Sequence, residues 1–471
     1  MNERWKPVLP RLVDKMIELG YTREACDKLF PGGNLIVRDF VKVPGYLRNC
    51  REAGGPLAVL VPFFLLRRLV DRKALEGVIG EELVECLLGC NLILQDGDQV
   101  EAIYDLYPCY GSYIFTDSKF QRASELSPLT TYYLGNDSYA LARVTPRQKV
   151  RRALDLCTGS GVHSVMAARH ANLAMAVDLN PRAIAVSELN AVLNRQDEIC
   201  GFMLGDLYGP IAKGGFDLIT ANPPFIPTPQ EDMELYRSGG ESGEEVTERI
   251  FRDLPKYLAP GGLLSLVTNF PITRAGDILE RHQRWLGDPK GWGLLLLNFG
   301  VITREQYVLM QYKAVGDYEQ DFAEMDRWLD LYERLGILSL SFGIIMVRRL
   351  ETEDSWLEFR NFPGGAQAMS DEFEAFLESL TFFNSAAFAE GWAEFVPRPR
   401  PVKAFYTDRL AGVGRVEFRH PEWPAVDLAA EETALLSKIY DQPGRPASEL
   451  TDGPELLKAL GRHNLILPEG A

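Results

Sequence analysis

Histidine is scarce, five in 471 residues, and the seven cysteines include no CxxC pair. A structural zinc site takes four ligands of these kinds at short spacing, so no metal site is expected. Cys86 and Cys90 share one helical face but have no histidine near them in sequence, and read as small buried apolar residues. An odd, irregularly spaced set of cysteines fits a reducing compartment. Long apolar runs are missing too. The most hydrophobic stretch, Pro56 to Leu66, stops at Arg67-Arg68, short of the roughly 20 residues that cross a bilayer. The opening residues, Met1-Asn-Glu-Arg-Trp-Lys-Pro7, hold no signal-peptide core, so no membrane partner and a cytoplasmic location are expected. Positive charge is in deficit, 50 Lys plus Arg against 66 Asp plus Glu, for a net charge of −16. Such a surface repels phosphate backbones and disfavours an RNA partner without forbidding a local basic patch. There is no internal repeat, nucleophilic triad or phosphate-binding loop.

What is present is ordinary globular composition, 46% hydrophobic and 25% charged, over a length of about three domains. Residues 1–120 read as a mostly helical, winged-helix-like accessory domain, with a hairpin signal at Asp96-Gly97. Residues 121–350 alternate β-type runs with helical patterns, which implies a parallel sheet covered by helices on both faces. The runs are Ala153–Leu156, Leu173–Val177, Gly201–Leu204, Phe216–Thr220, Leu263–Thr268, Gly293–Phe299, Tyr307–Gln311 and Ser341–Val347. Residues 351–471 read as a C-terminal α+β accessory domain, entered through Pro397-Arg-Pro-Arg-Pro401.

Candidate site residues fall at the ends of successive strand runs, where a doubly wound sheet holds its ligand. Asp155-Leu-Cys157-Thr-Gly159-Ser-Gly161 joins a strand to a helix, a tight turn that lets backbone N–H groups approach a ligand. The third glycine of a dinucleotide fingerprint is missing, and Asp155 suits a cationic ligand better than a pyrophosphate. Asp178, followed by Leu179, ends the next strand and can accept two ribose hydroxyls. Asp206, followed by Leu207, ends the third and can accept from an adenine amino group. The fourth strand ends in Asn222-Pro223-Pro224-Phe225. Two prolines force an extended backbone without N–H donors. The Asn222 side-chain oxygen and the Pro223 carbonyl are then two acceptors for a planar NH2 group, with Phe225 against its flat face.

This set resembles the class I S-adenosylmethionine-dependent methyltransferases of the small-domain group, which includes protein-glutamine and rRNA base N-methyltransferases. The resemblance covers residues 126–350. It implies a Rossmann-like, seven-stranded, doubly wound sheet. It also implies that Asp155, Cys157, Gly159, Gly161, Asp178, Leu179, Asp206, Leu207 and Asn222 contact S-adenosylmethionine, and that Asn222, Pro223 and Phe225 hold the acceptor nitrogen. Leu134-Gly-Asn-Asp137-Ser138 resembles the segment lying over the cofactor. Cys157 stands where many members have glycine, and Phe225 where glutamine-modifying members have tyrosine. Glu231 to Glu248 reads as an acidic, glycine-hinged lid suited to a peptide or cationic acceptor. The implied activity is N-methylation of a planar amide or amine nitrogen, a glutamine-type side chain of a protein or peptide first. A natural-product or RNA-base acceptor, and a non-catalytic cofactor-binding interaction protein, are the alternatives.

Overall fold

The structure, a computed structural model, describes residues 3–30, 32, 34–36, 39–120, 129–131, 133–229, 237–274, 278–311, 316–408 and 410–468. It divides into two units. The first comprises Met1–Ala142, Lys149–Tyr257 and Leu266–Thr268, and the second Arg143–Gln148, Leu258–Ser265 and Asn269–Ala471. Among the described residues no helix is long and apolar enough to cross a membrane.

The first unit opens with helices, of which Leu9–Glu18 buries Leu9, Leu12, Val13 and Met16 along one stripe. The expected hairpin is present: Ile93–Asp96 pairs antiparallel with Gln99–Ala102, turning through Gly97 at φ 58°. Val70–Asp71 adds a third strand. A second hairpin, Tyr104–Cys109 with Ser112–Asp117, was not legible, because nearly every residue in it is buried and it lacks the alternation of a half-exposed strand.

The core of this unit holds helix α1 (Asn136–Val144), strand β1 (Val150–Leu156), helix α2 (Val162–Ala168), strand β2 (Ala171–Asp178), helix α3 (Pro181–Leu193), strands β3 (Cys200–Leu204) and β4 (Phe216–Ala221), and helix α4 (Glu245–Tyr257). The four strands are parallel, in spatial order β4-β1-β2-β3. The winding direction reverses between β1 and β4, which opens a ligand crevice at their carboxyl ends. The register sets these ends level: Leu156 lies opposite both Val177 and Ala221, and Asp178 opposite Leu204. Such Rossmann-like α/β order is the one expected from the alternating pattern.

Asn190 of α3 and Asn194, the residue that caps its C-terminus, lie one turn apart and serve the edge of the second hairpin as a strand would. Asn190 accepts from the Phe115 N–H at 2.7 Å and donates to its carbonyl at 2.7 Å. Asn194 does the same for Tyr113, at 2.9 and 2.7 Å. Asn190 donates also to the Ser160 carbonyl at 2.8 Å, so the N-terminal hairpin, α3 and the glycine turn share one side chain.

The second unit carries strands β5 (Leu258–Thr273), β6 (Trp292–Thr303), β7 (Ile337–Arg349) and β8 (Trp356–Asn361), in order β8-β6-β7-β5. β6 runs antiparallel to β7 and parallel to β8. The run Tyr307–Gln311, expected as a strand, lies instead in a helix, Arg304–Gln311. Thr303 and Gln306 cap it reciprocally, the Gln306 N–H donating to Thr303 Oγ1 and the Thr303 N–H to Gln306 Oε1. A short apolar run fits either state, and this capping box decides for helix. Further on, Gly414–Phe418 pairs with Val402–Thr407 and Val426–Leu428, and the closing helices Ala430–Asp441 and Glu455–Arg462 precede a two-residue strand, Ile466–Leu467, paired with Arg398–Pro399.

Replacing Asn190, which is fully buried, by alanine strips partners from a buried N–H and two carbonyls, at about 1–3 kcal/mol for each group left unsatisfied. We expect Asn190→Ala to lower unfolding stability by about 3 kcal/mol, measured as a drop in the urea midpoint at unchanged slope. A change below about 0.5 kcal/mol would show that apolar contact alone holds the hairpin.

Candidate active site

The glycine turn after β1 is organised by Asp155 from below. This carboxylate is 1% exposed. Its Oδ2 accepts from Thr158 Oγ1 at 2.5 Å and from the Ser164 N–H at 3.1 Å, and its Oδ1 from Thr220 Oγ1 at 2.8 Å. It therefore joins the turn, the start of α2 and the neighbouring β4. Both oxygens face protein donors, so Asp155 shapes the turn from within; sequence reasoning placed it against the ligand, because a strand-end position does not tell which way the side chain points. Burial pushes its carboxyl up to about 7, against the three hydrogen bonds that favour the charged form.

Within the turn Cys157, Gly159 and Gly161 all have positive φ, 55°, 54° and 79°. A Cβ on Gly161 would come within 2.9 Å of Ser187 Cβ, so glycine is required for the turn to lie on α3. A Cβ on Gly159 would meet open space. The Gly159 N–H donates to Asp178 Oδ2 at 2.8 Å, and the Asn180 N–H to Asp178 Oδ1 at 2.9 Å. The carboxylate keeps acceptor capacity beyond its backbone bonds for a ligand hydroxyl. Burial raises the Asp178 carboxyl above its ordinary range. Leu179 beside it is 51% exposed, whereas Leu207 is 8% exposed and sits at φ 47°.

The three strand-end carboxylates converge. Asp178, Asp155 and Asp206 all lie close enough to the half-buried Cys157 to add to the rise that burial imposes on its thiol. Asp206 pairs with Arg249 of α4 at 2.5 Å, side chains 48% and 54% exposed. That partner carried no signal in the sequence. A concentration of acid beside an open glycine turn suits an organic cation and repels a pyrophosphate.

Past β4, Asn222 is held by the segment before the core. Its Nδ2 donates to Asp137 Oδ2 at 3.0 Å and to Ser138 Oγ at 3.2 Å. Among the described residues nothing donates to Asn222 Oδ1 or to the Pro223 carbonyl. Asp137 and Ser138 belong to the stretch placed by sequence over the cofactor, but no spacing linked them to Asn222, 85 and 84 positions away. Burial raises the Asp137 carboxyl.

The glycine-rich segment expected as a hinge braces this motif instead. The Ile226 N–H donates to the Arg237 carbonyl, the Gly239 N–H to the Ile226 carbonyl and the Thr228 N–H to the Gly240 carbonyl, at 3.0, 3.1 and 3.1 Å. A Cβ on Gly239 would come within 2.8 Å of Phe225 Cα, so the absence of a side chain is what lets the two backbones meet. Glu231, Asp232 and Glu234 of the acidic stretch lie outside the described residues.

Residues 134–283 match the family model described as methyltransferase small domain. A ribosomal protein uL3 glutamine methyltransferase from Bradyrhizobium diazoefficiens is 35% identical over 153 residues, 30% of this chain and 48% of that one. A Methanocaldococcus jannaschii protein, provisionally named a protein N5-glutamine methyltransferase, is 30% identical over 142 residues, 29% of this chain and 71% of that one. A ribosomal RNA small subunit methyltransferase C from Alcanivorax borkumensis is 34% identical over 141 residues, 30% of this chain and 36% of that one. The chain thus spans about half the length of the first of these relatives. With the parallel core, the glycine turn and the Asn222-Pro-Pro-Phe225 motif in place, the chain belongs to the small-domain group of class I S-adenosylmethionine-dependent methyltransferases.

Proposed function

We propose that the protein is an S-adenosylmethionine-dependent N-methyltransferase acting on a primary amide nitrogen, the glutamine side chain of a protein or peptide. The observation that carries this reading is the pinned Asn222 amide, whose NH2 is taken by Asp137 and Ser138 and whose Oδ1 is left for an outside donor. Oδ1 and the Pro223 carbonyl each take one hydrogen of a planar NH2 group. An amide lone pair is delocalised into its carbonyl, and two acceptors on the N–H hydrogens return density to nitrogen. Positioning therefore supplies most of the rate. Phe225 lies against the flat face of the group. The likeness to two relatives named for glutamine supports a protein acceptor over an RNA base, and the net charge of −16 points the same way. On this reading the protein acts in the cytoplasm, its methyltransferase core at 121–350 flanked by 1–120 and 351–471.

The site residues fit the cofactor, which when bound supplies a methyl group on a sulfonium. Gly159 leaves room over the turn, and Asp178 has lone pairs for the ribose hydroxyls. Exposed Leu179 offers an apolar face to the adenine ring. Asp206 accepts from the adenine amino group, its exposed pair with Arg249 being weak enough to exchange. Cys157 and Gly161 shape the turn, buried Leu207 backs the Asp206 loop, and Asp155 acts through the loop it holds.

Transfer of labelled methyl to fractionated protein, RNA and metabolites tests the reading: label is expected in protein glutamine. Label confined to RNA or to small molecules would overturn the acceptor class, and cofactor binding without transfer to any fraction would leave a non-catalytic binding protein. Asn222→Ala should reduce transfer at least about a hundredfold while calorimetry shows nearly unchanged cofactor affinity; retained turnover would remove Asn222 from the acceptor site.

Asp155 adds a pH signature. Its carboxyl, raised to about 7, holds a proton in the free site below that pH, and a bound cation favours the ionised form. Binding should expel that proton, so affinity should rise up to about tenfold between about pH 6 and pH 8. Calorimetry in buffers of different ionisation heat reads the proton directly, and proton uptake, or none, would contradict the assignment.

A further inference from the structure

We propose that Asp137 is the positioning residue that decides which end of the Asn222 amide faces the methyl acceptor: as a carboxylate it holds the NH2 end inward, and on taking up a proton it lets the amide reverse. This rests on the reading of Asn222 as the acceptor clamp. The two ends of a carboxamide have nearly the same shape, so packing alone does not choose between them; hydrogen bonding does. Of the two groups bonded to Asn222 Nδ2, Ser138 Oγ at 3.2 Å does not discriminate, since a hydroxyl both donates and accepts. The Asp137 carboxylate at 3.0 Å accepts only, so the polarity of the clamp depends on it.

The reversed amide has two faults. Its oxygen faces the Asp137 carboxylate, and its NH2 faces the acceptor NH2, donor against donor. A protonated Asp137 removes the first fault, because its hydroxyl can donate to the amide oxygen. Before an acceptor binds, reversal is then cheap, and the clamp is lost. Asp137 lies in the first turn of α1, where the helix end favours a negative charge. Its own N–H and that of Ser138 favour the carboxylate too, while burial opposes it. Among the described residues, Asn222 is the side chain that favours its charged form, and no ionised side chain contributes. Burial places the change above the ordinary carboxylate range, where it can be titrated with the protein still folded.

The test uses the full chain and three readouts. In protein labelled with 15N-asparagine, the Asn222 carboxamide signal is assigned by its loss in Asn222→Ala. We expect its hydrogens to be shifted downfield and slow to exchange at about pH 8, to lose both properties as acid is added, and to lack them in Asp137→Ala. Transfer to unmodified ribosomal protein uL3 and to N-acetylglutaminamide is then followed against pH. Wild type should show an acid limb in kcat. Asp137→Ala should lose about ten- to a hundredfold in kcat, the worth of a hydrogen bond to a charged group, with cofactor affinity unchanged. Asp137→Asn, which keeps the shape but can present either end, should be intermediate and flat across that limb. An Asn222 signal identical in wild type and Asp137→Asn at every pH, or an acid limb that survives in Asp137→Asn, overturns the proposal. If wild type methylates neither probe, the glutamine reading fails for those acceptors, while the carboxamide signal still decides the role of Asp137.

Discussion

A single buried carboxylate joins the parts on which the rest of the site depends. Asp155 ends β1 with both oxygens inside the protein, bonded to Thr158 in the turn, to Ser164 in α2 and to Thr220 in β4. Thr220 is two residues before Asn222, so the carboxylate that shapes the glycine turn also fixes the strand that leads into Asn222-Pro-Pro-Phe225. The parallel register does the remainder, setting Leu156 level with Ala221 on one side and Val177 on the other. Burying a charge costs free energy unless it is well bonded. Here three bonds leave the carboxyl balanced near neutrality, which makes it sensitive to a cation arriving above it.

The N-terminal segment belongs to the same support. Asn190 gives one bond to Ser160 in the glycine turn and two to Phe115 in the second hairpin. Arg182, at the start of α3, donates to Asp117 at the end of that hairpin at 2.7 Å. The Asn180 side chain caps α3 and also donates to the Leu129 carbonyl at 2.8 Å. Residues ahead of β1 therefore fix the helix on which the turn rests, and Asp137, also ahead of β1, fixes the Asn222 amide. In this unit the accessory sequence is part of the active-site scaffold.

What the sequence made legible was whatever the backbone pattern carries. Strand runs, the glycine turn, the prolines after β4 and the Asp96-Gly97 hairpin each follow from local residue chemistry. The misses share a different cause. The helix at Arg304–Gln311 was hidden because an apolar run fits two periods and the Thr303–Gln306 capping box is a weak mark. The second hairpin was hidden by burial on both faces. The pairings of Asp137 with Asn222 and of Arg249 with Asp206 were hidden because they span 85 and 43 positions, and no local rule reaches that far. Asp155 was found but the partners of its side chain were not, since the same strand-end position serves a ligand or a loop and only the placement of Thr158, Ser164 and Thr220 shows them.

The contrast between Asp155 and Asp137 bears on selectivity. Asp155 is buried and Asp137 half-buried, and each holds another group in one orientation, yet Asp155 closes its hydrogen bonds within the protein while Asp137 leaves an acceptor open at Asn222 Oδ1. An open, fixed acceptor beside the Pro223 carbonyl counts hydrogens. A primary amide fills both; a hydroxyl or a secondary amide offers one hydrogen and leaves an acceptor unpaired, at about 1–3 kcal/mol. Sites built in this way reject a ligand lacking the hydrogen far more strongly than one differing by a methylene. On the proposed reading the clamp therefore also limits the reaction to one transfer: once the nitrogen has taken the methyl group and released one proton to solvent, it has a single hydrogen left and no longer satisfies the pair of oxygens that selected it.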